Sequence, residues 1–241
     1  MNISKRGARR EIFVNRPITR ITLKSREEID DIILLEDSYH LYCNDKFITE
    51  LHCSPVNLEQ LALGHLFCRH MITQGDQVDM LSIEYNAGKI CVTTHRATTT
   101  PTVKEETEIR LTADQVHKLQ ADFNSRCDLF RATGAMHACA LANQDGLILF
   151  LEDIARHNAL DKVIGEMLLQ NIPPDGKALI FSGRMASDMM EKSWCSGVRL
   201  LIAPGAPSLT SVKLAEERGL TLLGFVRPDN INIYSHPHRV V

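Results

Sequence analysis

Leu151-Glu-Asp-Ile-Ala-Arg-His-Asn-Ala-Leu-Asp-Lys-Val-Ile-Gly165 joins an apolar run, Leu147 to Leu151, to an amphipathic pattern through a knot of charge. The knot is Glu152, Asp153, Arg156 and His157. Beyond it Leu160, Val163, Ile164, Met167 and Leu168 recur at helical spacing and define one buried stripe. His157 and Asp161, four apart, lie one turn apart on the other flank. The stretch reads as a strand whose carboxyl end delivers two acids, followed by a helix whose first turn holds two potential cations beside unpaired backbone N–H groups. In open parallel sheets, ligands gather at such junctions. The plainer reading is a surface helix whose charges pair with one another.

Outward from that stretch the C-terminal half repeats the pattern. Strand Ala138 to Ala142 turns at Asn143 to Gly146 into the strand that feeds the organising helix. Strand Ala178 to Phe181 leads through Ser182-Gly183-Arg184 to a helix ending at Cys195. Strand Val198 to Ala203 leads through Pro204 to Pro207 to a helix from Ser208 to Arg218. Strands Thr221 to Val226 and Ile231 to Tyr234 close the series. This alternation predicts a largely parallel sheet covered on both faces. Three strand-to-helix junctions then share one sheet edge: Glu152/Asp153/Arg156/His157, Ser182/Gly183/Arg184 and Gly205 to Ser208. Small residues opening a helix let its N–H groups approach an anion, and Arg184 adds a planar donor fork for phosphate or carboxylate. A phosphorylated ligand such as a nucleotide is the natural occupant.

The first 110 residues lack the alternation and read as an α+β region, with a second domain from 111 to 241. Met1 to Arg10 reads as a loose basic arm and Ile18 to Leu23 as a short strand. Tyr39 to Cys53 reads as a hairpin turning at Asn44-Asp45. Ser54-Pro55 opens a helix with a capping hydroxyl and a proline at its first position. Val78 to Thr94 is a second hairpin. Arg96 to Glu108, threonine-rich and broken by Pro101, reads as a mobile loop. Thr112 to Gln115 is a capping box opening a helix to about Leu129.

Composition narrows the function. The 241 residues are 44% hydrophobic and 24% charged, a soluble globular balance. A net charge of −3 gives no electrostatic case for nucleic-acid binding. No apolar run reaches the ~20 residues that span a bilayer, and no signal-peptide core follows the N-terminal charges. Seven cysteines, none in a CxxC pair, favour reduced thiols in the cytosol over disulfides or zinc. By pattern Cys127, Cys139 and Cys195 are each more structural than reactive, with Cys127 the least buried of the three. His137 could be a ligand or an acid/base, although a lone histidine in a half-buried strand is more often a core residue. His236 and His238 sit on a tail too loosely held to make a metal site.

Four blocks carry a resemblance: Thr133 to Ala138 (TGAMHA), Glu152 to Lys162 (EDIARHNALDK), Ser182 to Lys192 (SGRMASDMMEK) and Gly224 to Tyr234 (GFVRPDNINIY). With Ser54 to Gly64 (SPVNLEQLALG), they resemble the FdhD family of formate dehydrogenase accessory sulfurtransferases, in order over nearly the whole chain. The resemblance implies a cytidine-deaminase-like three-layer α/β/α core with a smaller N-terminal α+β region, a homodimer and a cytoplasmic location. It implies transfer of persulfide sulfur from a cysteine desulfurase to the bis(molybdopterin guanine dinucleotide) cofactor before insertion into formate dehydrogenase. The cofactor would be bound as cargo, with no intrinsic metal and no membrane or nucleic-acid partner. The family's guanine-dinucleotide segment falls on Phe225, Val226, Arg227, Pro228, Asp229 and Asn230, joined by Arg184, Ser182, His157, Arg156 and Asp153 of the sheet edge.

The chain departs from the pattern at three places. Asp229-Asn230 stands where members often carry glycine and arginine. The loop Arg96 to Glu108 lacks the CxxC that bears the persulfide in many members. No His-x-Glu is followed by a Pro-Cys-x-x-Cys, so zinc-hydroxide deamination has no support. Three readings stay open: a sulfur carrier using another cysteine such as Cys127, a cofactor-binding chaperone without a covalent step, and a nucleotide enzyme using His157, Asp153 or His137 as acid/base.

Overall fold

The computed structural model describes residues 1–8, 11–95 and 108–241; the loop expected to be mobile lies outside them except for Glu108. In chain order the strands of the first half are β1 (Asn2–Arg6), β2 (Phe13–Ile21), β3 (Arg26–Leu34), β4 (Asp37–Cys43) and β5 (Lys46–Cys53). Helix α1 (Leu58–Cys68), β6 (Val78–Glu84) and β7 (Lys89–Thr94) complete it. Five of these strands form one sheet, β1-β6-β7-β4-β5, while β2 and β3 form a separate two-stranded sheet. Both expected hairpins are present, with Asn44 and Asp45 in the left-handed region that a tight turn needs.

Three local expectations of this half are corrected. The basic arm is strand β1, parallel to β6 and anchored by Lys5 to Glu59 at 2.7 Å. Two residues of charge hide a pairing pattern that depends on a distant partner strand. The short strand around Ile18 is half of a nine-residue antiparallel ribbon, whose second strand is too acidic to announce itself. The helix after Ser54-Pro55 begins later, at Leu58, with Asn57 in the left-handed conformation at its cap. Ser54 is diverted to a buried ion network described below.

The second half contains α2 (Ala113–Arg126), α3 (Asp128–Thr133), β8 (His137–Asn143), β9 (Gly146–Asp153) and α4 (Arg156–Leu169). It continues with β10 (Ala178–Phe181), α5 (Ser187–Cys195), β11 (Leu200–Ile202), α6 (Leu209–Glu217), β12 (Thr221–Arg227) and β13 (Asn230–Ser235). The capping box at Thr112 is formed, with its hydroxyl accepting from the Gln115 N–H. The helix it opens breaks at Cys127 rather than running on to Leu129. Six strands form a sheet in the order β13-β12-β11-β10-β8-β9. Only β10, β11 and β12 are parallel neighbours; β8 lies antiparallel to both β9 and β10. The sheet is therefore mixed rather than largely parallel. The tight Asn143 to Gly146 turn makes β8–β9 a hairpin, yet β9 still points the same way as β10 to β12, so all three junctions do share one edge.

Alternation along the strands sorts side chains to two faces. Leu141, Leu179 and Phe181 join Leu160, Val163 and Met189 on the α4–α5–α6 side. Ala138, Ala140, Ala142 and Ile180 join Val116, Leu119 and Phe123 of α2 on the other. This is a three-layer α/β/α core.

The two sheets meet through α1 and α4. Helix α1 buries residues all round, as a helix enclosed on both sides must. Two glycines set the crossing. A Cβ on Gly64 would lie 1.8 Å from the Asp161 carbonyl oxygen, and one on Gly165 would lie 1.9 Å from that of Gln60. The backbones therefore touch at a distance no other residue permits.

Candidate functional site

The edge to which β10, β11 and β12 point is built on three glycines. Gly183 follows β10 with φ +79, Gly205 follows β11, and Gly224 lies within β12. A Cβ on Gly205 would come within 2.5 Å of the Gly183 carbonyl oxygen, and one on Gly224 within 3.0 Å of the Gly205 carbonyl oxygen. The three chain segments thus stack backbone against backbone. Ser208 caps α6 by accepting from the Ser211 N–H, and the Ser211 hydroxyl donates to the Met185 carbonyl at 2.9 Å, tying the second and third junctions together.

Two cavities open along this edge and share His137 and Gly183. The first, of 590 Å³, is lined by Arg156 and Arg184 together with Ala206, Pro207 and Ser208, and among the described residues no carboxylate lines it. Arg184 is exposed. Arg156 sits at the start of α4, 3.8 Å from Asp188, while its Nε is buried without a hydrogen-bond partner among the described residues. A buried guanidinium N–H left unpaired is costly, and an anion in the cavity would satisfy it. The second cavity, of 630 Å³, lies on the α2–α3 side and is largely apolar, walled by Phe123, Phe130, Met136 and Pro204. A third, of 310 Å³, is lined by Val226, Arg227 and Pro228 against α2; Asn124 borders both it and the apolar cavity. The row of three suits an extended ligand with a charged part and a flat apolar part.

His137 stands where the two larger cavities meet. Its Nδ1 lies 3.1 Å from the Ser182 hydroxyl, which also accepts the Ala138 N–H at 2.9 Å. Partial burial, then the Arg156 charge, hold its imidazole below the ordinary histidine range. At neutral pH it is an uncharged hydrogen-bonding group, so the cavity's positive charge comes from the two arginines. Nothing in its sequence neighbourhood separated it from a core histidine; its place depends on β8 lying beside β10.

The other expected site residues divide. Phe225 occupies a bulge with φ +49 and is 36% exposed, a strained setting for an aromatic ring on the rim. Asp229 and Asn230 are exposed at the β12–β13 turn. His157 is exposed on α4 and lines none of the three cavities.

Asp153 is fully buried and lines none of the three cavities. It accepts from the Ser54 N–H and hydroxyl at 3.2 and 3.0 Å, from the Ala155 N–H at 3.0 Å and from Asn158 at 3.1 Å. It also pairs with the fully buried Lys162 at 2.6 Å. Lys162 donates further to the Ser54 hydroxyl and the Glu152 carbonyl, each at 3.0 Å. Both charges are thus hydrogen-bonded throughout, the condition for keeping an ion pair inside. Its work is to join the two halves. The neighbouring acid, Glu152, has the unusual environment: burial, then nearby Asp128, push its carboxyl up to about 7.

The thiols also depart from expectation. Cys127, expected to be the least buried of the three weighed, is 8% exposed and its Sγ donates to the Phe123 carbonyl at 3.3 Å. Burial, then Glu152, raise it to about 11. It does border the apolar cavity, but as a protonated thiol. Cys68, Cys91 and Cys195 are the partly exposed ones. Among the described residues no group of three or more His, Cys, Asp or Glu is placed to hold a metal ion, and no helix is long and apolar enough to cross a membrane.

Comparison with known proteins agrees with this architecture. The profile of the FdhD/NarQ family matches residues 94–241. A protein named sulfur carrier protein FdhD from Listeria innocua is 28% identical over 259 aligned residues, spanning 95% of this chain and 99% of the relative. One of the same name from Shouchella clausii is 29% identical, spanning 96% and 98%. A crystal structure from Desulfotalea psychrophila, provisionally described as a formate dehydrogenase accessory protein, superposes with a TM-score of 0.85 at 26% identity. It covers 96% of this chain and 100% of its own.

Proposed function

Because this chain belongs to the FdhD/NarQ family, we propose that it is a formate dehydrogenase accessory protein that carries sulfur. In this reading it holds the bis(molybdopterin guanine dinucleotide) cofactor along the glycine-built edge as cargo, receives sulfur from a cysteine desulfurase and serves formate dehydrogenase, acting in the cytoplasm as a homodimer. The observation that carries the cargo site is the 590 Å³ cavity lined by two arginines and, among the described residues, by no acid. Planar guanidinium donors match the pyrophosphate of a guanine dinucleotide. The adjoining apolar cavity and the Val226 to Pro228 cavity offer room for flat rings on the same edge. His137 and Ser182 supply neutral hydrogen bonds where the cavities meet.

At the cargo site this chain's residues bind and orient; the metal chemistry belongs to the cargo. Purified from a host that makes the cofactor, the protein is expected to retain a guanine nucleotide released by heat. A double variant, Arg156→Ala with Arg184→Ala, is expected to retain little. Equal retention by the variant would remove the cavity from the proposal.

A second reading has its own support. The loop Arg96 to Glu108 has no cysteine and Cys127 is buried and protonated. A chaperone that holds the cofactor without a covalent step would need neither. The two readings share the cargo site and differ only in whether any thiol loads.

A further inference from the structure

The ends of α1 and α5 bring together three groups that the cofactor edge does not use. Cys68 closes α1, His70 follows it, and Cys195 closes α5. The Cys195 Sγ lies 3.9 Å from Nε2 of His70 and 3.9 Å from the Cys68 carbonyl oxygen. Cys195 and Cys68 are both partly exposed, and His70 is exposed, with φ +56 turning it out of the helix. Segments more than 120 residues apart in sequence thus bring a thiol and an imidazole together, the elements of an activated-cysteine site. Burial, then Glu191, push the Cys195 thiol up, with Arg218 and Lys192 acting against them, so it needs a base to give up its proton, and His70 is within reach. Four of the other cysteines, Cys43, Cys53, Cys127 and Cys139, are buried.

We propose that Cys195, with His70 as its proton acceptor, is the thiol through which this chain takes up sulfane sulfur from a protein-bound persulfide. This rests on the sulfur-carrier reading and supplies the residue that reading lacks. Nε2 of His70 takes the Cys195 proton as the sulfur attacks the outer sulfur of the donor persulfide. The donor's S–S bond breaks as the new one forms on Cys195. The donor cysteine leaves with the electron pair and receives the proton back from His70. No electrons enter or leave, so the exchange needs no oxidant or reductant. The loaded sulfur stands at the far end of α5 from the arginine cavity, roughly 13 Å away by helix rise. It is therefore loaded at the surface, where a donor protein can reach it.

The test treats the full-length protein with glutathione persulfide, alkylates it, and maps each cysteine by peptide mass spectrometry. A one-sulfur gain on Cys195 is expected, absent from Cys195→Ser and slowed roughly 100-fold in His70→Asn, the low end for loss of a general base. Because the wild-type map locates the label by itself, the conclusion does not depend on either variant folding. Label on Cys127, or on no cysteine, overturns the proposal. Guanine-nucleotide binding measured on the same samples separates the two ideas. Binding without loading leaves the cargo site standing and sinks Cys195. Loading of Cys195 without binding upholds it and sinks the cargo site.

Discussion

Lys162 and Asp153 show how far one pair of side chains can misdirect a reading from sequence. Both belong to the charged block that looks most like a ligand site, and both are fully buried at the joint between the halves. Only the partner segment, Ser54 and the His52 carbonyl that accepts from Asn158 at 2.8 Å, reveals their role, and nothing local announces it. Lys162→Met is expected to cost about 3–5 kcal/mol, the price of an unpaired buried carboxylate; denaturant unfolding checks it. Glu152 gives a pH signature. Its folded-state carboxyl sits near 7, above its unfolded value, so the folded state binds the extra proton. Its favourable contribution is complete below about pH 4.3 and is lost as pH rises through about 7. Glu152→Gln should therefore melt with the parent at pH 5 and above it at pH 8, measured as Tm. A constant difference between the two pH values would contradict the assignment.

At the scale of elements, the strand–helix alternation after Thr133 was legible because each element carries its own period and its own punctuation. The hairpins, the Thr112 capping box and all three junctions stand where the pattern puts them. What escaped were features decided by a remote neighbour. Strand β1 exists because β6 offers an edge, and α1 starts late because Ser54 has a buried ion pair to serve. Gly64 and Gly165 belong to the same class: each looks like a weak spot in its helix, yet each faces a carbonyl across the α1–α4 crossing. Gly64→Ala should destabilise by ~3 kcal/mol, the upper end for overpacking, despite alanine's higher helix propensity. A stabilised variant in thermal unfolding would show that the helices can separate without loss.

The whole molecule brings Arg156, Arg184 and the stacked Gly183, Gly205 and Gly224 to one edge of the six-stranded sheet, and this follows from topology rather than from any single motif. Sequence identified Arg156, Ser182 and Arg184 as edge residues because each follows a strand directly. It could not reveal that His137 joins them, since that requires β8 to return antiparallel beside β10. It also could not separate the arginine cavity from the one against α2, which is bordered by Val226, Arg227 and Pro228. If one extended cargo spans both with its phosphates in the arginine cavity, Arg227→Ala should weaken a guanine mononucleotide less than Arg184→Ala does. The most direct test of the cargo site is calorimetric titration of GDP into the full-length protein and into Arg156→Ala/Arg184→Ala, at two salt concentrations. The account predicts saturable binding that weakens with salt and falls at least tenfold in the double variant. Binding that is absent, or equal in both proteins, would contradict it.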